Sequence, residues 1–218
     1  YLSLFYTILF PTDHYEWISV AENGDTVYVG AGTYSGGYEI DKEQLLITTW
    51  DRPDRSGPIV IEATEYGFTI LGAKVTLENM EISGGEEDSY ALSFLESNEI
   101  KVHNIKISDY VGGGIHISDF PSTVELKNIV LESIHDYPVL MEGNSYAYFE
   151  NAVIRGPLVE NDILVFIKNH ATAVFNHSYI GDAHRICIKS RKQARVSLTH
   201  SVVTSCLLKY AHDTVNFP

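Results

Sequence analysis

Cysteine is scarce in this 218-residue chain: only Cys187 and Cys206 are present, which excludes a small scaffold stapled by disulfides. The two sit in what read as neighbouring repeats, two residues out of register, an offset that argues against a bridge between them. Positive charge is scarce too. Fifteen Lys+Arg face 29 Asp+Glu, a formal charge of -14, and no nucleic-acid partner is expected without a basic face. No apolar run is long enough to span a bilayer. The longest, YLSLFYTILF (1–10), also lacks the basic flank and cleavage site of a signal peptide, and a mature chain whose leader has been removed is the expectation. None of the nine histidines has metal-site spacing, so no metal is expected.

What is present is a repeat. Six segments align: LENMEI (77–82), VHNIKI (102–107), LKNIVL (126–131), FENAVI (149–154), FNHSYI (175–180) and LTHSVV (198–203). Their third positions are Asn79, Asn104, Asn128, Asn151, His177 and His200, at intervals of 25, 24, 23, 26 and 23. Short alternating segments lie before and after each, with a third earlier in every repeat: FTI (68–70), LSF (92–94), IHI (115–117), VLM (139–141), LVF (164–166) and ICI (186–188). Period-two alternation over so few residues specifies strands. Asn between two strands suits a tight turn because it tolerates left-handed backbone. Three short strands per repeat of about 24 residues predict an all-β solenoid whose coils stack about 4.8 Å apart, with the Asn/His positions forming an internal ladder.

At "NGDTVYVGAGTYSGGYEI" (23–40) the chain resembles the right-handed parallel β-helix, or pectate-lyase-like, superfamily. "HYEWISVAE" (14–22) resembles the short helix that caps such solenoids, with Trp17 and Ile18 on the first coil. The expected organisation is an N-terminal apolar strand (1–11), a capping helix (12–22) and the β-helix itself (23–218). This fold hosts many functions. The resemblance implies that an enzyme would place its chemistry on the outer face of the first strand column. Alternation puts Thr69, Ser93, His116, Leu140, Val165, Cys187 and Leu208 there, a column with no carboxylate, lysine or arginine. The outer positions of the third column read Glu81, Lys106, Val130, Val153, Tyr179 and Val202, apolar enough to need a cover. Pectin methylesterases share the opening motif, but their aspartates in Gly-Gln and Asp-Phe contexts have no counterpart here.

One segment offers catalytic chemistry. In GDAHRICIKSRKQAR (181–195), Lys189 and Arg191 follow a core strand, with Asp182 and His184 before it. This resembles the Lys/Arg pair of alginate-lyase-like β-helices, and a lysine beside an arginine can act as a base. Acidic turns recur at Glu86, Glu87, Asp88, Asp109, Asp136, Asp162 and Asp182. Their offsets vary, so solvated turn acids are expected in preference to a Ca²⁺ ladder, and no cofactor is expected. Asn176-His177-Ser178 is a glycosylation sequon.

Charge is polarised. Residues 1–100 hold 18 acidic and 4 basic residues, whereas 101–218 hold 11 of each, five of the cations lying between Arg185 and Arg195. Leu2, Leu4, Tyr6, Ile8 and Phe10 fall on one face of the opening strand, a donor-like pattern. The last coil has no cap of its own. The leading expectation is therefore a structural β-helix, secreted or exposed on a cell or virion surface. Copies would assemble head to tail through that strand and through Arg185, Arg191, Lys192 and Arg195. The alternatives are an acidic-polysaccharide lyase using Lys189, Arg191, Asp182 and His184, or a glycan-binding fibre or spike domain with Tyr148 and Tyr179 as platforms.

Overall fold

The computed structural model describes residues 6–9, 18, 21–49, 57–118, 122–156 and 163–213, with backbone alone at 6–9 and 208–213. Among them the chain is an all-β parallel solenoid of about 7 turns. Of the expected capping helix, Ile18 is described, helical and buried; its other residues up to 20, like Leu2, Leu4 and Phe10, lie outside the described residues.

One column of strands comprises β1 (6–9), β2 (26–29), β5 (46–49), the first half of β8 (76–84), of β10 (100–110) and of β12 (123–134), then β14 (146–150), β17 (172–176) and β20 (195–199). A second comprises β3 (32–35), β6 (59–63), the second halves of those long strands, β15 (153–155), β18 (179–181) and β21 (202–204). Because β8, β10 and β12 run through both columns, the two form one 14-stranded sheet. Opposite stands an eight-stranded sheet of β4 (38–40), β7 (68–70), β9 (90–94), β11 (113–117), β13 (139–141), β16 (163–167), β19 (186–191) and β22 (208–213). Pairing is parallel throughout, and strand order follows chain order in each column, so the acidic and cation-bearing halves of the sequence occupy opposite ends of the axis. β1 pairs in parallel with β2 of its own chain, Tyr6 opposite Thr26 and Ile8 opposite Tyr28.

Alternation explains the core. Val27, Ile47, Leu77, Val102, Leu126, Phe149 and Phe175 are register partners on successive coils and all are fully buried. Phe149 and Phe175 stack at 4.5 Å. Each such side chain contributes about 1.5–3 kcal/mol by leaving water. The row ends at Leu198, which is 45% exposed.

The Asn ladder is real but external. Asn79, Asn104, Asn128 and Asn151 take φ of 59°, 55°, 56° and 54°, the left-handed region Asn tolerates. The residues flanking each corner, such as Leu126 and Ile129 around Asn128, are the ones buried, so the corner side chain turns outward. Asn104 Nδ2 donates to Asn79 Oδ1 (2.8 Å), Asn128 Nδ2 to Asn104 Oδ1 (2.8 Å) and Asn151 Nδ2 to Asn128 Oδ1 (3.1 Å). His177 and His200 continue the ladder as stacked rings 4.9 Å apart. Cys187 and Cys206 form a disulfide with Cα atoms 5.8 Å apart. The register argument against it fails because Cys206 lies in the turn before β22, outside any strand ladder.

Candidate site on the outer face of the eight-stranded sheet

The third column's outer row is as alternation predicts: Glu81, Lys106, Val130, Val153, Tyr179 and Val202 are consecutive register partners. In the eight-stranded sheet the row departs from expectation after Leu140. It runs Thr69, Ser93, His116, Leu140, Phe166 and Lys189. Val165 and Cys187 are fully buried instead, and the backbone of Leu208 pairs with Ile186, three residues before Lys189, whose own partner is Ala211. The cause is a break in alternation inside β16 and β19. Leu164–Val165 and Cys187–Ile188 are consecutive buried pairs, so alternation counted from before the pair comes out one residue off. The column is not an empty wall, because Lys189 belongs to it.

Two residues further along, the outer positions continue as Glu142, Lys168 and Arg191. Lys168 Nζ donates to Glu142 Oε1 (2.7 Å), and His116 Nε2 lies 3.3 Å from Glu142 Oε2. Burial alone would raise the Glu142 pKa, but the hydrogen bond and charge of Lys168, with His116 behind them, hold it below the usual carboxylate range. The His116 ring lies against Tyr90, centroids 4.8 Å apart. Burial first, then the charges of Asp136 and Glu142, push the Tyr90 phenol well above its ordinary value, so it stays protonated. Asp136 is also raised, chiefly by burial.

Phe166 is the hub. Only 5% exposed, it packs with Leu140 and Ile163 in a small cluster outside the main core, against Tyr137 at 5.5 Å. Three cations stand over its ring: Lys168 Nζ at 4.9 Å, Arg191 Cζ at 5.2 Å and Lys189 Nζ at 5.8 Å from the centroid. A π face attracts cations, and here one ring gathers side chains from β19 and from the end of β16. Lys189 and Arg191 are thus brought together. Asp182 and His184 are not part of this grouping: Asp182 sits in the turn after β18, accepting from Tyr179 Oη (3.1 Å) and lying 3.9 Å from Arg155 Nε, and His184 is exposed beyond it. Sequence reading missed Phe166, Lys168, Glu142 and Tyr90. ILVFI (163–167) is apolar at every position and so carries no alternation to mark which residues face out.

The remaining assembly candidates spread around the solenoid. Arg185 is exposed before β19, Lys192 donates from the corner to Asn169 Oδ1 (2.7 Å), and Arg195 opens β20. In the sequon, Asn176 Nδ2 donates to Tyr148 Oη (3.1 Å) and Ser178 is 3% exposed. Both side chains are committed to the fold.

No family model matches the chain, and no curated protein does. Among solved structures, the pectate lyase Pel9A superposes with a TM-score of 0.55 at 10% identity, over 90% of this chain and 69% of that one. The chain has the pectate-lyase-like parallel β-helix fold. At that identity the likeness is one of fold. Chemistry has to be argued from Phe166 and the side chains around it.

Proposed function

We propose that the protein binds an acidic polysaccharide along the outer face of its eight-stranded sheet. The observation that carries this is the convergence of Lys168, Lys189 and Arg191 on the Phe166 ring, a cationic focus on a molecule of net charge -14. Cations gathered at one place attract anions even on a molecule of net negative charge. Tyr137, half-buried beside the cluster, supplies the apolar edge against which a sugar ring packs. Lys189 with Arg191 is also the pair that an elimination reaction would use, so cleavage belongs in the same test. Binding of polygalacturonate and alginate is compared with neutral dextran by titration calorimetry, for the wild type and for Lys189→Met/Arg191→Met. Salt-sensitive binding of the acidic polymers, lost in the double variant, supports the proposal. Equal binding of the neutral polymer sinks it. Unsaturated chain ends in the same mixtures would add lyase activity.

A second reading is head-to-tail self-assembly of an extracellular or surface β-helix. It is favoured by the apolar surface at the cation-rich end, where Leu198, Val202 and Leu207 are 45%, 54% and 79% exposed, and by the axial charge polarity. Analytical ultracentrifugation across concentration and salt tests it. A single sedimenting species throughout removes this reading and leaves the first intact.

A further inference from the structure

We infer that a groove along the outer side of the Asn corner binds an extended neutral glycan, at a site separate from the Phe166 cluster and independent of the reading given to it. The groove encloses about 410 Å³, within the range of small-molecule sites. It crosses three coils of the 14-stranded sheet. Asn79, Asn104 and Asn128 line it at the corner, and two residues further along each coil come the outward Glu81, Lys106 and Val130.

The corner amides have capacity to spare. A side-chain amide carries two N–H donors and an oxygen with two lone pairs. Asn104 spends one N–H on Asn79 and one lone pair on Asn128, and Asn128 stands likewise between Asn104 and Asn151. One donor and one acceptor therefore remain on each, and both side chains are exposed. This pair recurs at the coil spacing, about 4.8 Å. A hydroxyl both donates and accepts, so it answers such a pair. The hydroxyls of an extended glycan recur at about the length of one pyranose, close to that spacing. The polar edge of an extended peptide recurs every second residue, about 6.6 Å, and falls out of step within three coils. Val130, half-buried, and Pro58, exposed, add apolar surface for the C–H faces of the sugars.

Charge selects against an acidic chain. Among the described residues lining the groove, the charged ones are Glu81 and Lys106. Lys106 Nζ is held by Glu132 Oε1 at 2.8 Å, and its register partner Glu81 is exposed. One cation thus faces two carboxylates, so a polyanion is repelled and a neutral chain is not.

The test reads the side-chain amide signals of Asn104 and Asn128 directly, by NMR of isotope-labelled protein. Cellohexaose and xylohexaose are the extended neutral probes. Dextran, whose flexible backbone holds no fixed interval, polygalacturonate and an uncharged extended peptide are the comparisons. The expected result is that one or both hexasaccharides move the two amide signals, with an affinity insensitive to salt, while the comparisons leave them in place. Asn104→Gly keeps the left-handed corner, at φ 55°, and removes the amide; hexasaccharide binding should weaken about tenfold, the effect of two lost hydrogen bonds. Val130→Glu leaves the ladder whole and puts a carboxylate in the groove, and should weaken binding too. Far-UV circular dichroism should be unchanged in both, and Lys189→Met/Arg191→Met should bind the hexasaccharides as the wild type does. Signals that neither hexasaccharide moves, or that polygalacturonate or the peptide moves as far, overturn the inference. So does hexasaccharide binding that survives both groove variants and fails in Lys189→Met/Arg191→Met, which would belong to the Phe166 cluster.

Discussion

Replacing Asn128 tests whether the external ladder works through hydrogen bonds, through backbone conformation, or both. Its side chain donates to Asn104 and accepts from Asn151, and its backbone sits at φ 56°. Both partners are exposed, so water replaces what is lost. Each bond is then worth about 0.5 kcal/mol, the low end for a net protein hydrogen bond. Left-handed backbone costs an ordinary L-residue roughly 1 kcal/mol more than Asn or glycine. Asn128→Ala loses the bonds and adds the strain, about 2 kcal/mol in all. Asn128→Gly loses the bonds without the strain, about 1 kcal/mol. Urea unfolding followed by far-UV circular dichroism measures both. If the glycine variant is as unstable as the alanine variant, or more so, the conformational half of this account is wrong. A flat result for both would remove the ladder from the stability of the fold altogether.

Reducing the disulfide, or making Cys206→Ala, should cost about 3 kcal/mol for a loop of this size; limited proteolysis is expected to cut first within 195–213, and unchanged protection of that coil would count against a latching role. Gly67→Ala drives a Cβ into the Ala91 carbonyl oxygen, and a lowered melting temperature is expected, since backbone of the next coil cannot yield as a side chain can. Glu142 has its pKa lowered in the fold, so its contribution is present above the unfolded value near 4.3 and is lost as pH falls through the folded one. Thermal melts of wild type and Glu142→Gln should therefore converge at the acid end and differ near neutrality. Curves that run parallel across the acid range would contradict that linkage.

What the sequence disclosed follows from where alternation survives. Glu81 through Val202 were legible as one outer row because each lies in a strand whose neighbours alternate without interruption. Asn79, Asn104, Asn128 and Asn151 were legible because left-handed corners narrow the choice of residue. The candidate site was only half legible. Lys189 and Arg191 stood out as charges, but Val165 and Cys187 were assigned to the surface although each strand there turns two consecutive residues inside. Phe166 was hidden in a strand with no polar residue to set its phase. Glu142 and Lys168 lie 26 residues apart, and only the stacking of coils makes them neighbours. The disulfide was missed for a related reason: strand register says nothing about a residue in a turn.

The order of the strands also has a mechanical consequence. Every sheet bond runs along the solenoid axis, from one coil to the next, and the chain advances coil by coil in the same direction. A pull applied through the two ends of the chain therefore loads these bonds one rung at a time, as in a zipper, and never shears a whole sheet at once. Each coil of about 24 residues would release roughly 80 Å of chain, giving a train of evenly spaced, low-force steps. The final coil, tied back through Cys187–Cys206, would give way with a shorter step than the rest.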